Sequence, residues 1–420
     1  MGRTHCQIRM ITKNLKLISM CLLALTGALF AARGGLFRTD INPALLYYQA
    51  FLVAPKLSDA DLDYLQTNNW QGQKLPERVG TLVASYDEEL KLLRQAAQQK
   101  VPCDWGIDLS RGPETLLPHL ASAKRAAYGV RLNAMWDLQN GNEAEARDDL
   151  VAGLTLGRNV SKNSTLVSVL VGVAIESIVN LTVAGNFHRF SPETLQQLAD
   201  GFAAAPARGT VADCMTGEEP IYRKWLPNKI KELRDEHPGD DVAVMAGLHQ
   251  FVGDFDTNFW EELTNAAGGT IDGIIKMSND SEPLYAQLAK ILVLPHGEYE
   301  EQMKQFGPEV EKSGNFLVSQ SFPALQASRR REFISLEDTA MVRAAIEYKL
   351  HGEAGLNSVM DPCGNGPFVF QRFVFDGVDR GFELKSAYNR GHVLDAYVFV
   401  EKDGPPFWVM GDRVGQPISR

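Results

Sequence analysis

Glu176 is the residue with the clearest chemical interpretation, because it is the only charged residue in the apolar stretch 165–183. A carboxylate that is removed from water costs several kcal/mol unless it is ion-paired or protonated. It is therefore either a catalytic acid with a raised pKa in a pocket or the buried partner of a cation. Arg158 lies on the preceding predicted helix, and the pattern favours a structural pair of Arg158 and Glu176 that sets the register of two helices.

A second group of acids lies around Asp254, where Asp256 and Glu261 are interleaved with aromatic residues. Glycoside hydrolysis uses two carboxyl groups that converge within about 5–10 Å of each other. Glu176 and Asp254 are thus the candidates for the catalytic carboxylates of a hydrolase. A solvated acidic face on an amphipathic helix explains the acids around Asp254 equally simply, and we favour that interpretation.

Three acids near the C-terminus, Asp376, Asp379 and Glu383, are the candidates for a calcium site. Their spacing is not that of an EF-hand loop, and a polar hairpin loop is the ordinary alternative. The histidines contain no H-E-x-x-H pair, and the chain has no P-loop, no G-x-G-x-x-G and no G-x-S-x-G motif. The sequence therefore predicts no cofactor and names no catalytic residue with a recognised motif.

Three cysteines, Cys103, Cys214 and Cys363, follow the N-terminal segment. They are widely spaced and form no C-x-x-C pair, so neither a zinc ribbon nor a thioredoxin-like motif is indicated. In an oxidising compartment they allow one disulfide and one free thiol, and the sequence does not select the pair.

The charge balance opposes nucleic-acid binding. The 420 residues carry 42 basic and 52 acidic side chains, a net charge of −10, and no basic stripe compensates for this excess. Residues 1–33 differ, because they contain basic residues and no acid. Within them, residues 17–32 are uncharged, which is typical of a secretory signal or of a signal-anchor. We therefore expect a protein of the cell envelope, periplasmic or anchored to the inner membrane by residues 17–32; a buried first helix is the alternative.

The remaining chain divides into a helical domain, 34–353, and a β-rich tail, 354–420. Residues 141–183 predict two adjacent helices with a polar break, the second apolar almost all round. Ser191-Pro192-Glu193 is a strong helix start. The succession of helices and short turns predicts a mainly α fold, an array of antiparallel helical hairpins like an α-solenoid or tetratricopeptide stack. The aromatic, partly alternating stretches after residue 366 predict three or four antiparallel strands.

The tail resembles the C-terminal part of bacterial type II secretion pseudopilins. The matching segments are IEYKLHG, DPCGNGPFVFQRF and GFELKSAY, with Tyr348, Asp361, Pro362 and Gly364 at the family's positions. Cys363 stands where that family usually has an aromatic residue. No Gly-Phe-x-x-x-Glu processing site precedes residue 17, so the resemblance implies the local shape rather than assembly into a pilus.

A wider resemblance covers most of the chain. The order of an apolar N-terminal segment, NPALLYYQAF, a helical body with LTLGRN and VGVAIES, and the tail is similar to a large group of exported bacterial proteins of unknown function. It implies a fold context and no reaction. Our leading hypothesis is therefore a helical scaffold or adaptor that acts by protein–protein contact and not as an enzyme. The alternatives are an envelope hydrolase with buried carboxylates and an accessory of a secretion or pilus-like system.

Overall fold

A computed structural model describes residues 38–66, 74–215, 224–251, 258–389 and 394–418. The molecule is mainly helical, with one small antiparallel sheet near its C-terminus. The helices are α1 Pro43–Val53, α2 Asp59–Gln66, α3 Gly80–Ala84, α4 Asp87–Ala97, α5 Pro118–Asn140, α6 Glu143–Ser161, α7 Leu166–Gly185, α8 Pro192–Ala204, α9 Val211–Cys214, α10 Leu226–Glu236, α11 Asp241–Phe251, α12 Phe259–Ala266, α13 Ile271–Asp280, α14 Glu282–Leu292, α15 His296–Ser313 and α16 Phe316–Leu356. The strands are β1 Val369–Phe375, β2 Val378–Asn389 and β3 Leu394–Val400.

Local signals explain the boundaries of the central helices. Thr165 caps α7 by accepting a hydrogen bond from the Ser168 N–H, and Ser191 caps α8 by accepting one from the Thr194 N–H. Gly141 ends α5 with a left-handed φ of 82°, a conformation that glycine adopts without strain. The predicted helix pair of residues 141–183 is thus α6 and α7, which pack against each other as neighbours.

The sheet has the order β1-β2-β3, with both pairs antiparallel. Asp376 and Gly377 make the first hairpin turn with φ values of 49° and 75°, as a two-residue hairpin with left-handed residues requires. The fourth predicted strand does not form among the described residues: Phe407 and Met410 make only isolated bridges, to Pro417 and Tyr397. The prediction of a mainly α fold with a small C-terminal antiparallel sheet is confirmed.

One apolar cluster joins the helical body to the sheet. Phe187, which directly follows α7, makes edge-to-face contacts with Phe382 of β2 and Phe399 of β3, at centroid distances of 5.8 and 5.4 Å. The same cluster contains buried residues of α5 to α8 and of α16. The boundary drawn at 353/354 falls within the last turns of α16, next to a kink at Gly352. The body and the tail therefore share a core.

Helix α7 is the only described helix that is long and apolar enough to cross a membrane, and 56% of its apolar window is buried inside the protein. Its neighbours α6, α5 and α16 cover it, which is the arrangement of a core helix. Residues 17–32, on which the predicted export signal rests, lie outside the described residues.

Candidate functional site

A cavity of about 790 Å³ lies between α8 and α16. This volume is within the range of small-molecule and peptide sites in proteins. Ser358, Val359, Met360 and Pro362, which follow α16, form one wall, and Arg158 and Arg208 also line it. We call it the arginine cavity. Its other lining residues are Gln196, Ala199, Asp200, Phe202, Ala203 and Ala207, with Leu336, Thr339, Ala340, Arg343, Ile346 and Glu347 of α16.

Glu176 lies behind the arginine cavity and is not one of its lining residues. Its carboxylate is 1% exposed and forms ion pairs with Arg208 and with Arg158, whose Nε lies 4.0 Å from Oε1. Burial raises the pKa of Glu176, and the charges of the two arginines act in the opposite direction. The geometry is that of a buried counter-ion rather than of a carboxylate presented to a substrate. Arg158 does approach Glu176, but Arg208 is the closer partner.

Arg158 is fixed by the end of α8. Its Nη1 donates to the carbonyl oxygens of Phe202, Ala205 and Pro206, at 3.1, 3.4 and 3.3 Å. A cation at this position compensates for the unpaired carbonyls and the partial negative charge at a helix C-terminus. Its Nε, although buried, has no hydrogen-bond partner among the described residues, and burial lowers the pKa of the guanidinium.

Arg208 is fixed by a close backbone approach. The N–H of Gly209 donates to Ser161 Oγ at 2.8 Å, and a Cβ on Gly209 would lie 2.1 Å from the Ser161 carbonyl oxygen. Only glycine allows the two backbones to come this close. Arg208 Nη2 also reaches the Ser335 carbonyl and Thr339 Oγ1 of α16, at 3.5 and 3.4 Å.

The rim of the arginine cavity carries a third guanidinium. Arg343 is exposed, and no ion pair joins it to another residue in the described part of the chain. Two acids share the rim, and each has a polar neighbour: Asp200 accepts from Gln196 at 3.0 Å, and Glu347 lies 3.7 Å from the His351 ring. The cavity thus combines apolar walls with three arginines.

The other predicted site residues do not converge on this cavity. Asp254 lies outside the described residues. Of the calcium candidates, Asp379 is bonded to Arg372 at 2.6 Å, and Glu383 pairs with Lys385 at 3.1 Å. Asp376 occupies the hairpin turn. Two of the three carboxylates thus have cationic partners, and among the described residues the three do not form a group of possible metal ligands.

The three cysteines are also separate from one another. Cys103, Cys214 and Cys363 are all free thiols. Cys103 packs against the N-terminal helices, whereas Cys214 belongs to the buried apolar cluster against which Cys363 packs.

A second constellation, which the sequence analysis did not identify, lies where α16 meets the tail. The ligating atoms of Glu337, Asp361 and Cys363 all lie within 4.8 Å of one another. Ser386 of β2 lies between two of them, with Oγ 2.5 Å from Glu337 Oε1 and 2.9 Å from Asp361 Oδ2. Asp395 of β3 also faces Glu337. We call these four residues, Glu337, Asp361, Cys363 and Asp395, the acid cluster.

Burial dominates the electrostatics of the acid cluster. Glu337 and Asp395 are 0% and 1% exposed. Burial and, to a lesser extent, the neighbouring Asp395 together raise the pKa of Glu337 to about 8, against hydrogen bonds from Ser386 and Cys363. Burial and the adjacent carboxylates also raise the pKa of the Cys363 thiol. Asp361 is different, because backbone N–H groups of Cys363 and Ala387 donate to its carboxylate at 2.9 and 2.8 Å.

No sequence motif signals this cluster, because only Asp361 and Cys363 of its members are close in the chain. Glu337 stands in the polar run SLEDT, which predicts a solvated helix face. The fold instead covers that face with β2, β3 and the turn at Asp361.

Comparison with protein-family models, with curated proteins and with solved structures finds no match to this chain.

Proposed function

We propose that this protein is a non-enzymatic binding protein whose arginine cavity takes an acidic, partly apolar peptide segment of a partner protein. The observation that carries the proposal is the pair of guanidinium groups, Arg158 and Arg208, held at the cavity wall by one buried carboxylate. This proposal makes the leading hypothesis, function by protein–protein contact, specific to one surface.

The charges favour an anionic occupant. Glu176 offers one negative charge to two guanidinium groups, so one positive charge remains uncompensated by an ion pair at the floor of the cavity. Arg158 Nε and Arg208 Nη1 are buried donors without a hydrogen-bond partner among the described residues. A carboxylate supplies acceptors in the planar geometry that guanidinium groups bind best. Arg343 extends the positive charge to the rim, where Asp200 and Glu347 also lie, so the preference for an anion is set by the floor of the cavity.

The shape favours a peptide. The long walls are faces of two helices, and alanine side chains such as Ala199, Ala203 and Ala340 leave room between them. Met360, which is 56% exposed, supplies an apolar contact, and the buried Phe202, Ile346 and Val359 lie behind the cavity surface. A groove between helices that presents apolar walls and a charged rim is a recurring mode of peptide recognition. The predicted array of helical hairpins would provide such grooves.

Cellular location belongs to the same proposal. The basic, then uncharged sequence of residues 1–32 supports export, with the protein in the envelope or anchored to the inner membrane. The partner is then another envelope protein, and an accessory role in a secretion or pilus-like system is one setting for it. The hydrolase alternative has no supporting geometry at Glu176, because its carboxylate is neutralised by two arginines.

Fluorescence anisotropy with labelled peptides tests the proposal. The probes are three peptides of equal length in which leucine alternates with glutamate, glutamine or lysine. We expect the glutamate peptide to bind, and Arg343→Glu to weaken its binding at least fivefold, about 1 kcal/mol, because a like charge replaces an attractive one. The matched control is Arg331→Glu, an exposed arginine of the same helix outside the cavity lining.

Equal affinity for all three peptides, or equal losses in the Arg343→Glu and Arg331→Glu proteins, would overturn the proposal. Deletion of the tail is not a suitable test. The tail completes the core around Phe187, so the truncated chain would lose binding through misfolding.

A further inference from the structure

We propose that Glu337, Asp361 and Cys363, with Asp395 beside them, bind a divalent transition-metal ion, of which zinc fits best. The site is independent of the peptide-binding proposal and uses none of the calcium candidates of the β1–β2 hairpin. It joins three parts of the chain: α16, the turn that follows it, and β3.

The geometry meets the first requirement of a metal site. The ligand atoms of Glu337, Asp361 and Cys363 lie within 4.8 Å of one another. Zinc binds carboxylate oxygen at about 2.0–2.2 Å and thiolate sulfur at about 2.3 Å, so its tetrahedral ligands are roughly 3.3–3.7 Å apart. Small rotations of the three side chains toward a shared centre would close that difference. Asp395, which faces Glu337, is in place as a fourth ligand.

The hydrogen bonds show that the cluster lacks donors. Ser386 has one hydroxyl hydrogen, yet its Oγ lies within hydrogen-bond distance of both Glu337 Oε1 and Asp361 Oδ2. It can donate to only one of these two carboxylates at a time. Glu337 Oε2 is buried and receives no hydrogen bond from any donor in the described part of the chain. This oxygen belongs to a fully buried side chain that points at another carboxyl group.

Two facing carboxyl groups in a dry core require either a shared proton or a cation between them. Among the described residues, no ion pair joins a cationic side chain to Glu337 or to Asp361. Arg329 acts on the Cys363 thiol through its charge, but it is bonded to Glu332 at 2.8 Å and to the Leu294 carbonyl at 3.0 Å. A bound metal ion supplies the missing positive charge.

The donor set selects the metal. Calcium and magnesium take oxygen ligands, whereas a thiolate beside carboxylates suits zinc and its chemical relatives. Asp361 is already oriented by the N–H groups of Cys363 and Ala387, as outer contacts orient metal ligands elsewhere. Cys363 is only half-buried, so the ion has a route to the cluster. On binding, the thiol and the protonated carboxyl group release their protons to solvent, and no electron is transferred.

Metal binding by the full chain tests the proposal directly. The purified protein is stripped with chelator and titrated with Zn²⁺ and, as a coloured probe, Co²⁺. We expect one ion per chain and a near-ultraviolet thiolate-to-cobalt absorption. We expect Cys363→Ser to abolish that absorption and to weaken zinc binding at least tenfold, and Glu337→Gln to weaken it by a similar factor. Cys103→Ser, a change at another partly buried thiol, is the matched control and should bind like the wild type.

A second measurement needs no variant. Alkylation of the wild-type thiols is followed by mass spectrometry with and without Zn²⁺, and zinc should slow the modification of Cys363 at least tenfold while leaving Cys103 unchanged. The proposal is overturned if the wild-type chain binds neither ion at micromolar concentration, if Cys363→Ser binds zinc as tightly as the wild type, or if zinc does not protect Cys363.

Discussion

The arginine cavity and the acid cluster bury ionisable groups in opposite ways. In the first, Glu176 meets Arg158 and Arg208, so opposite charges compensate for the loss of water within the chain itself. In the second, Glu337, Asp361 and Asp395 meet one another and a thiol, and the compensation must come from protons or from a bound cation. The first arrangement is therefore sensitive to the loss of a partner, and the second to pH and to metal. Four predictions test this difference.

The largest effect is expected at Glu176. Glu176→Gln leaves two mostly buried guanidinium groups without their counter-ion, and breaking a buried pair on one side typically costs about 3–5 kcal/mol. We expect urea denaturation to show a loss of that size in the free energy of unfolding. The matched control is Asp200→Asn, an exposed acid at the rim of the same cavity, which should leave stability unchanged. A loss at Glu176 as small as that of the control would show that Glu176 does not hold the arginines.

The next effect concerns the backbone that positions Arg208. Gly209→Ala places a methyl group against the Ser161 carbonyl, and we expect a loss of about 1–3 kcal/mol, the range for overpacking. The same change at Gly307, whose Cβ would meet no atom within 4 Å, should be neutral or stabilising, because alanine is the better helix former. Equal stability changes in the two proteins, measured by denaturation, would refute the close approach.

The acid cluster should make stability depend on pH. The pKa of Glu337 is raised from 4.5 to about 8, so between these values the folded state holds a proton that the unfolded state has lost. Stability must then fall as pH rises through this window, by at most about 1.4 kcal/mol per pH unit. In chelator-treated protein, we expect the wild type to show a steeper fall from pH 5 to 8 than Glu337→Gln.

Glu89 and Asp149 also have raised pKa values, and both are present in the wild type and in Glu337→Gln. The difference between the two slopes of stability against pH therefore isolates the contribution of Glu337. Parallel slopes would contradict the assignment. Saturating zinc should flatten the wild-type slope, since a metal ligand has no proton to lose.

The smallest effect is expected in the β1–β2 hairpin. Arg372 and Asp379 form an ion pair in which each side chain is more than 40% exposed, and exposed pairs contribute little. Asp379→Asn should shift the thermal midpoint by no more than experimental error. A clear fall in the thermal midpoint would show that solvent exposure does not make this ion pair weaker than the buried pair at Glu176.

Residues close in the sequence were predicted best. Local sequence pattern predicts the helix ends at Ser191 and Gly141, the pairing of α6 with α7, and the need of the buried Glu176 for a counter-ion. The ion pair of Arg208 with Glu176 could not be predicted in this way, because Arg208 follows α8 by four residues in an irregular segment. The fold alone brings it to Glu176. The burial of Glu337 could not be predicted either. A polar run in a helix predicts a solvent-exposed face, and only the fold shows that strands from later in the chain cover it. Long-range packing determines which charged residues are buried, and the local pattern of a single sequence does not reveal long-range packing.

The shared core has a consequence for how the molecule is made. Phe187 cannot form its contacts with Phe382 and Phe399 until these residues, which lie near the C-terminal end of the chain, have been synthesised. During synthesis from the N-terminus, helices α5 to α8 therefore emerge with an apolar face that only later parts of the chain, α16 and the last strands, cover. The body and the sheet become stable together, as one cooperative unit. A stop codon within β2 or β3 removes only a small part of the chain, but we expect the truncated protein not to fold.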